Sequence, residues 1–211
     1  MMVPTTPDGS PRLAFLIPVK SFNAAKARLA NVLDDEQRRF LAIALAEGVL
    51  DSLRSQEVAV VCDDPEVSSW AEDQGVRVLW EPGRGLNPAV RSGVDALGKA
   101  GFEQVCVVHA DLAFPEGLAT ITSGPGILIA PDRRNDGTNV LRIPTGAGFE
   151  FSYGPRSFLR HTAEAERLGF DVHVAENSLL GIDVDVADDL ELIEVQTRLW
   201  GPEGPHRSST R

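Results

Sequence analysis

Three short segments of this chain carry side chains suited to phosphate or metal chemistry. The first is P-V-K-S-F-N-A-A-K-A-R-L, where Lys20, Lys26 and Arg28 follow an apolar run. The chain has 17 Arg and only three Lys, so two of its three lysines fall in one loop. A polyphosphate needs such cationic donors, because its charge must be neutralised before phosphorus can be attacked. A solvated basic loop is the plainer alternative. The second segment is V-V-H-A-D-L-A-F-P, where Asp111 lies just beyond another apolar run. A carboxylate there suits Mg2+, or a turn cap. The third is G-I-D-V-D-V-A-D-D-L. Asp183 and Asp185 alternate, which places both on one face of an extended strand. Two carboxylates on one face repel unless a cation lies between them. Alternatively, one of them, or Asp188, caps the helix that follows.

Two further stretches invite ligands more weakly. A-P-D-R-R-N-D-G-T-N-V-L sets turn residues and two arginines before a strand. F-S-Y-G-P-R-S-F-L-R-H opens a helix at Gly154-Pro155, where backbone N–H groups, Ser157 and the helix dipole suit an anion. A loop and an ordinary helix start are the alternatives. His109 reads as a structural histidine at a strand end. Cys62 and Cys106 each sit in an apolar run and read as buried free thiols, which fits a reducing cytoplasm. Neither a Walker loop nor a dinucleotide fingerprint follows the first strand.

These residues need a scaffold, and the hydrophobic pattern supplies one. L-A-F-L-I-P-V (Leu13 to Val19) is a continuous apolar run of strand length, as expected of a buried parallel strand. A loop, Lys20 to Val32, leads to a helix from about Asp35 to Leu53, with Phe40, Ile43, Ala44, Ala46 and Leu50 at helical spacing and Asp34, Asp35 and Glu36 at its start. Strands follow at Glu57 to Cys62 and Val76 to Trp80. Asp64-Pro65 opens the helix between them, which Gly75 ends. Asn87-Pro88 repeats that device for a helix to about Lys99. Strands are expected at Glu103 to His109, Gly126 to Ala130 and Thr138 to Ile143. A helix from about Pro155 to Leu168, strands D-V-H-V-A and L-L-G-I-D-V-D, and a helix from Ala187 to about Leu199 complete the chain.

Alternation of strands and helices implies βαβ units and a mainly parallel sheet. The strand-rich stretch from Gly124 to Tyr153 implies an inserted hairpin and therefore a mixed sheet. Residues 13–199 read as one domain, between a flexible N-terminus (1–12) and a flexible tail (200–211). A chain of 211 residues with 43% hydrophobic residues can bury a core without staples. Its net charge of −11 argues against a nucleic-acid or anionic-membrane partner. No apolar run has membrane-spanning length, and the N-terminus lacks the pattern of a signal peptide. The Arg-heavy, Lys-poor composition suggests a GC-rich genome.

Taken together, six segments in order resemble one family: the 2-phospho-L-lactate or phosphoenolpyruvate guanylyltransferases of coenzyme F-420 biosynthesis. They are A-K-A-R-L, L-N-P-A, A-D-L, P-D-R-x-x-x-G-T-N, Y-G-P-x-S-F-x-x-H and D-x-D-x-x-x-D-L, and the resemblance covers nearly all of residues 13–195. It implies a three-layer α/β/α Rossmann-like nucleotidyltransferase fold with a mixed, mainly parallel sheet. It also implies GTP and a small phosphorylated acid as substrates and Mg2+ held by Asp111, Asp183 and Asp185. Lys20, Lys26 and Arg28 would meet the triphosphate and, with Asp111, serve catalysis. Leu86, Asn87 and Ala89 would lie near the nucleoside. Thr138, Gly154 and Ser157 would hold the acid.

Two positions depart from the family pattern: Ala113 stands where Pro is usual two residues after the first metal Asp, and Val186-Ala187 stands where Thr-Pro is frequent. Neither removes a ligand. The implied reaction is attack of the acid's phosphate on the α-phosphorus of GTP, for which no general base is required. That agrees with the lack of a Ser/His/Asp or Cys/His constellation. A homodimer is left open. The alternatives are a related nucleotidyltransferase with another phosphorylated acceptor, or a catalytically silent nucleotide-binding module.

Overall fold

The computed structural model describes residues 9–175 and 178–191. The expected flexible ends, apart from residues 9–12, and the last helix beyond residue 191 lie outside them. The first half alternates strand and helix: β1 (Leu13–Pro18), α1 (Asp35–Ser52), β2 (Val58–Cys62), α2 (Pro65–Asp73), β3 (Arg77–Trp80), α3 (Leu86–Lys99) and β4 (Gln104–Val108). Then come β5 (Ile127–Pro131), β6 (Thr138–Pro144), α4 (Ser157–Arg167), β7 (Val172–Val174) and a short α5 (Ala187–Leu190). They build a seven-stranded sheet in the order β3-β2-β1-β4-β6-β5-β7. β6 pairs antiparallel with both β4 and β5, and the other pairs are parallel. The inserted hairpin read from the sequence is β5–β6.

Strand alternation divides the core. Phe15 and Ile17 of β1, with Cys106 and Val108 of β4, face a cluster built with Ala46 and Val49 of α1 and Val67 of α2. Ala14 and Leu16, with Val105 and Val107, face the opposite cluster with Val90 and Val94 of α3 and Ala165 of α4. The sheet is thus sandwiched between helices, the three-layer architecture expected. Gly93 lets α3 lie close on β1, since a Cβ there would meet a Leu16 methyl at 2.7 Å. Among the described residues no helix is long and apolar enough to cross a membrane.

Several local expectations are corrected. In α1 the buried stripe is Leu41, Ala42, Leu45, Ala46, Val49 and Leu50, whereas Phe40 is 66% exposed. Periodicity identified the helix and placed Ala46 and Leu50 on its buried face but wrongly included Phe40, because several rotations of so apolar a segment give a stripe. Asn87 does not cap α3: the cap is Gly85, at φ 73°, and no side chain caps it. Helix α4 begins at Ser157 rather than Pro155. L-L-G-I-D-V-D is not a strand: a 3-10 turn covers Ser178–Gly181, and Asp183 makes only an isolated bridge to Leu112. By contrast, the expected cap holds at Asp64, which accepts from Glu66 N–H, and Asp34, expected at the start of α1, caps it by accepting from Gln37 N–H.

Candidate nucleotide and metal site

Chain order reverses between β1 and β4: β2 and β3 lie to one side of β1, and β4 lies to the other. Side chains leaving the carboxyl ends of two strands at such a point border a crevice, because the loops diverge there. A cavity of about 350 Å3 lies at this point. Lys20, Lys26, Asp111, Asp185, Leu86 and Ala89 line it, as do His109, Cys62, Asp63 and Glu81.

Lys26 is the hub. Its backbone is left-handed (φ 56°) at the start of a 3-10 turn, Ala27–Leu29. Such a backbone is strained for any residue but glycine. The turn is held because Leu29 is fully buried among Leu41, Leu45, Ala113, Val184 and Leu190. The Lys26 side chain is only 6% exposed and its Nζ lies 2.7 Å from Asp111 Oδ2 and 4.0 Å from Asp185 Oδ1. Arg28, largely in solvent, reaches Asp185 Oδ2 at 2.7 Å. Burial pushes the Asp111 carboxyl up, but the Lys26 ammonium outweighs it, so its pKa lies below the ordinary value.

Asp111 and Asp183 are joined through the backbone. Val184 N–H donates to the Asp111 carbonyl (3.1 Å) and Ala113 N–H to the Ile182 carbonyl (2.8 Å). Burial, then the Asp111 charge, push the Asp183 carboxyl up to about 6. Asp185 is held by Asp189, whose Oδ2 accepts from Asp185 and Val186 N–H at 2.8 Å each. Asp189 is fully buried, and its charge is matched by Arg133 and Arg134. Arg133 and Arg134 come from P-D-R-R, so that motif supports the acidic site from behind.

Among the described residues, no three His, Cys, Asp or Glu side chains are gathered into a closed metal cluster. Asp111 Oδ1 and Asp183 Oδ1 are nevertheless buried with no hydrogen-bond partner. Two orphaned carboxylate oxygens, one on a carboxyl whose proton affinity is raised by its neighbour's charge, fit a divalent cation that also takes oxygens from substrate phosphates.

The residues expected to hold the acid form a second group. Ser157 Oγ donates to Thr138 Oγ1 at 3.3 Å, and Ser157 N–H donates to the Gly154 carbonyl at 3.0 Å. His161 Nε2 accepts from Ser152 N–H at 3.0 Å, so Nδ1 carries the hydrogen and donates to Thr138 Oγ1 at 3.1 Å. Burial, with Arg160 and His109, brings the His161 pKa down to about 4, which keeps this ring neutral. Thr138 and Ser157 are buried and do not line the cavity, whereas Gly154 is exposed. Tyr153 connects the two groups. Its ring centroid lies 5.0 Å from that of His109 and 4.8 Å from that of His161. Asn87 is turned to this segment: its Oδ1 accepts from Tyr153 N–H (2.6 Å) and its Nδ2 donates to the Tyr153 carbonyl (3.3 Å). Its side chain therefore clamps Tyr153 and does not line the cavity.

A model of the guanylyl transferase CofC-like family matches residues 13–198. The chain belongs to this family. It is 34% identical over 166 residues to the phosphoenolpyruvate guanylyltransferase of Sphaerobacter thermophilus, covering 74% of this chain and 80% of that one. It is 27% identical over 157 residues to the 2-phospho-L-lactate guanylyltransferase of Methanocaldococcus vulcanius, covering 72% and 70%. A solved nucleotidyl transferase from Methanothermobacter thermautotroptrophicus superposes with a TM-score of 0.59 at 15% identity, covering 87% and 96%, which speaks for the shared fold alone.

For a CofC-like guanylyl transferase, sequence reasoning missed three cavity residues. His109 was read as structural, yet it lines the cavity and its Nε2 is buried without a partner. Burial, and beyond it Lys26, lower its pKa, with Asp111 opposing. Asp63 and Glu81 were not singled out. Both directly follow parallel strands, and the rule that ligands bind at strand carboxyl ends was the available sign.

Proposed function

We propose that the chain is a guanylyltransferase that moves GMP from GTP to phosphoenolpyruvate and releases pyrophosphate, a step of coenzyme F-420 biosynthesis. The observation that carries this reading is the cavity between β1 and β4, where Lys20 and Lys26 stand beside Asp111 and Asp185 in a chain of this family.

A phosphate oxygen of the acceptor attacks the α-phosphorus of GTP. The new P–O bond forms as the bond to the bridging oxygen of the β-phosphate breaks, and pyrophosphate departs with that electron pair. The acceptor phosphate is already a nucleophile, so no side chain need remove a proton. Lys20, Lys26 and Arg28 hold and neutralise the triphosphate, and burial strengthens the contact made by Lys26. Asp111, Asp183 and Asp185 would hold Mg2+, which when bound would neutralise phosphate oxygens. Gly154, with Thr138 and Ser157 buried behind it, anchors the acid, and Leu86 packs near the nucleoside.

The test is pyrophosphate release with each of four nucleoside triphosphates and with phosphoenolpyruvate, 2-phospho-L-lactate or 3-phospho-D-glycerate, with and without Mg2+. Turnover should require Mg2+ and be fastest with GTP and phosphoenolpyruvate. The 34%-identical relative named a phosphoenolpyruvate guanylyltransferase favours that acid. The two three-carbon acids share their anionic groups and differ in shape at the central carbon, worth about 1–3 kcal/mol, so a preference of roughly ten- to hundredfold is expected. A preference for phospholactate would reverse the acceptor assignment. Nucleotide binding with no turnover on any acid would mark a silent module.

A further inference from the structure

In the sheet order β3-β2-β1-β4, Asp111 follows β4 on one side of β1, whereas Asp63 and Glu81 follow β2 and β3 on the other, and all three line the cavity with Lys20 and Lys26. Cys62 and Trp80 are register partners on β2 and β3, so the residues after them leave the sheet side by side. Glu81 N–H donates to the Cys62 carbonyl at 2.9 Å, which fixes that exit. Asp111 and Asp185 are paired at 2.7 Å with Lys26 and Arg28, whereas Glu81 has a cation no nearer than 3.7 Å, so the base of the nucleotide suits the β2–β3 side better than its triphosphate does.

The two carboxylates are not equivalent. Asp63 Oδ2 accepts from Gly83 N–H at 3.4 Å and belongs to the turn before α3. Glu81 has only a loose contact with Arg84, at 3.7 Å, and its side chain is 23% exposed against 61% for Arg84. Its carboxylate is thus half-buried, borders the cavity and lacks a close partner. The turn that follows ends at Gly85, which lines the cavity with Leu86. No side chain caps α3 there, so its first N–H groups are not taken up by a capping side chain.

We propose that Glu81 reads the guanine of the nucleotide substrate, its two oxygens accepting from N1–H and from the 2-amino group, while N–H groups at the start of α3 donate to O6. This rests on the guanylyltransferase reading above. Among the four common bases only guanine presents two adjacent donors to a carboxylate. Adenine and cytosine present a ring-nitrogen acceptor beside their amino group, and uracil flanks its one N–H with carbonyls. Each of these sets a lone pair against the carboxylate, so Glu81 both attracts guanine and repels the others.

The test exchanges the hydrogen-bonding pattern of Glu81. An amide in Glu81→Gln offers one acceptor for N1–H and one donor, which suits xanthine, whose 2-position is a carbonyl. kcat/KM is measured for GTP and XTP, with phosphoenolpyruvate and Mg2+, in the wild type and in this variant. In the wild type GTP should be preferred over XTP. In Glu81→Gln the GTP value should fall about tenfold to hundredfold, as for loss of one charged hydrogen bond, while XTP use rises and the preference inverts. An unchanged GTP:XTP ratio overturns the proposal. So does loss of every nucleotide, because a base reader must leave XTP usable. A wild-type enzyme that does not prefer GTP over ATP would instead fail the guanylyltransferase reading itself, and the proposal with it.

Discussion

Asp111 carries the charge on which the site turns. One of its oxygens is held by Lys26 at 2.7 Å and the other is buried without a donor. Asp111→Asn should keep the fold, judged by an unchanged circular dichroism spectrum, and lower turnover on the order of a thousandfold, as for loss of a metal ligand at a phosphoryl centre. Near-normal turnover would remove Asp111 from the metal set. Lys26→Ala should raise the KM for GTP and lower kcat far more than Lys99→Ala, since Lys99 lies in the last turn of α3 and does not line the cavity. Equal effects would dismiss the phosphate-loop role. Asp183 adds a pH dependence. Its carboxyl titrates at about 6 rather than at 3.8. A raised carboxyl pKa means that the folded state holds the proton more tightly. Its contribution to stability is therefore greatest below pH 3.8, declines as pH rises through this interval and is lost above about 6. Protons and Mg2+ compete for this group, so Mg2+ should raise the melting temperature more at pH 7.5 than at pH 5. An equal rise at both values would show that Asp183 takes no part in metal binding.

At the scale of elements, the connections between strands place the site. Helix α3 begins where β3 ends, and through Asn87 it grips the chain at Tyr153, which leads into α4. Asn87→Ala removes both hydrogen bonds and leaves two backbone groups to find new partners. It should cost roughly 1–3 kcal/mol in denaturant unfolding and raise the KM for the acid more than that for GTP. Equal changes in the two KM values would mean that the clamp does not serve the acid side. The A-D-L and D-x-D segments likewise meet through the Leu112–Asp183 bridge, so the carboxylates of Asp111 and Asp183 converge from two chain segments about seventy residues apart.

For the molecule as a whole, one sheet with a core on each face ties the described elements into a single unit. Unfolding should be a single cooperative transition. GTP and Mg2+ at about a hundred times their dissociation constant should stabilise it by about 2.7 kcal/mol, or roughly 5–10 °C for a chain of this size. Two transitions, with only one moved by ligand, would divide the chain into separate units.

The sequence by itself determined the strands, apart from one wrongly expected at L-L-G-I-D-V-D, most helices, the mixed sheet and the family, because these follow from local periodicity, turn chemistry and the order of short motifs. Leu13–Pro18 and residues 105–108 are apolar on both faces, the pattern of strands inside a sheet that is covered on both sides. Lys26 and Asp111 were legible as cavity residues because they follow buried strands, at whose carboxyl ends crevices form, whereas Asp185 reaches the cavity from a segment that is not a strand. The tertiary structure alone decided the rest. Phe40 points outward because packing, not periodicity, chooses which face of an apolar helix is buried. Asn87 grips Tyr153 instead of capping α3, and Thr138 and Ser157 are buried and bonded to each other, with His161 bonded to Thr138. Glu81 and His109 entered the cavity only when β2, β3 and β4 were set beside β1. Each of these assignments depends on a partner that is distant in the chain, and local pattern carries no record of which distant residue will fill a given space.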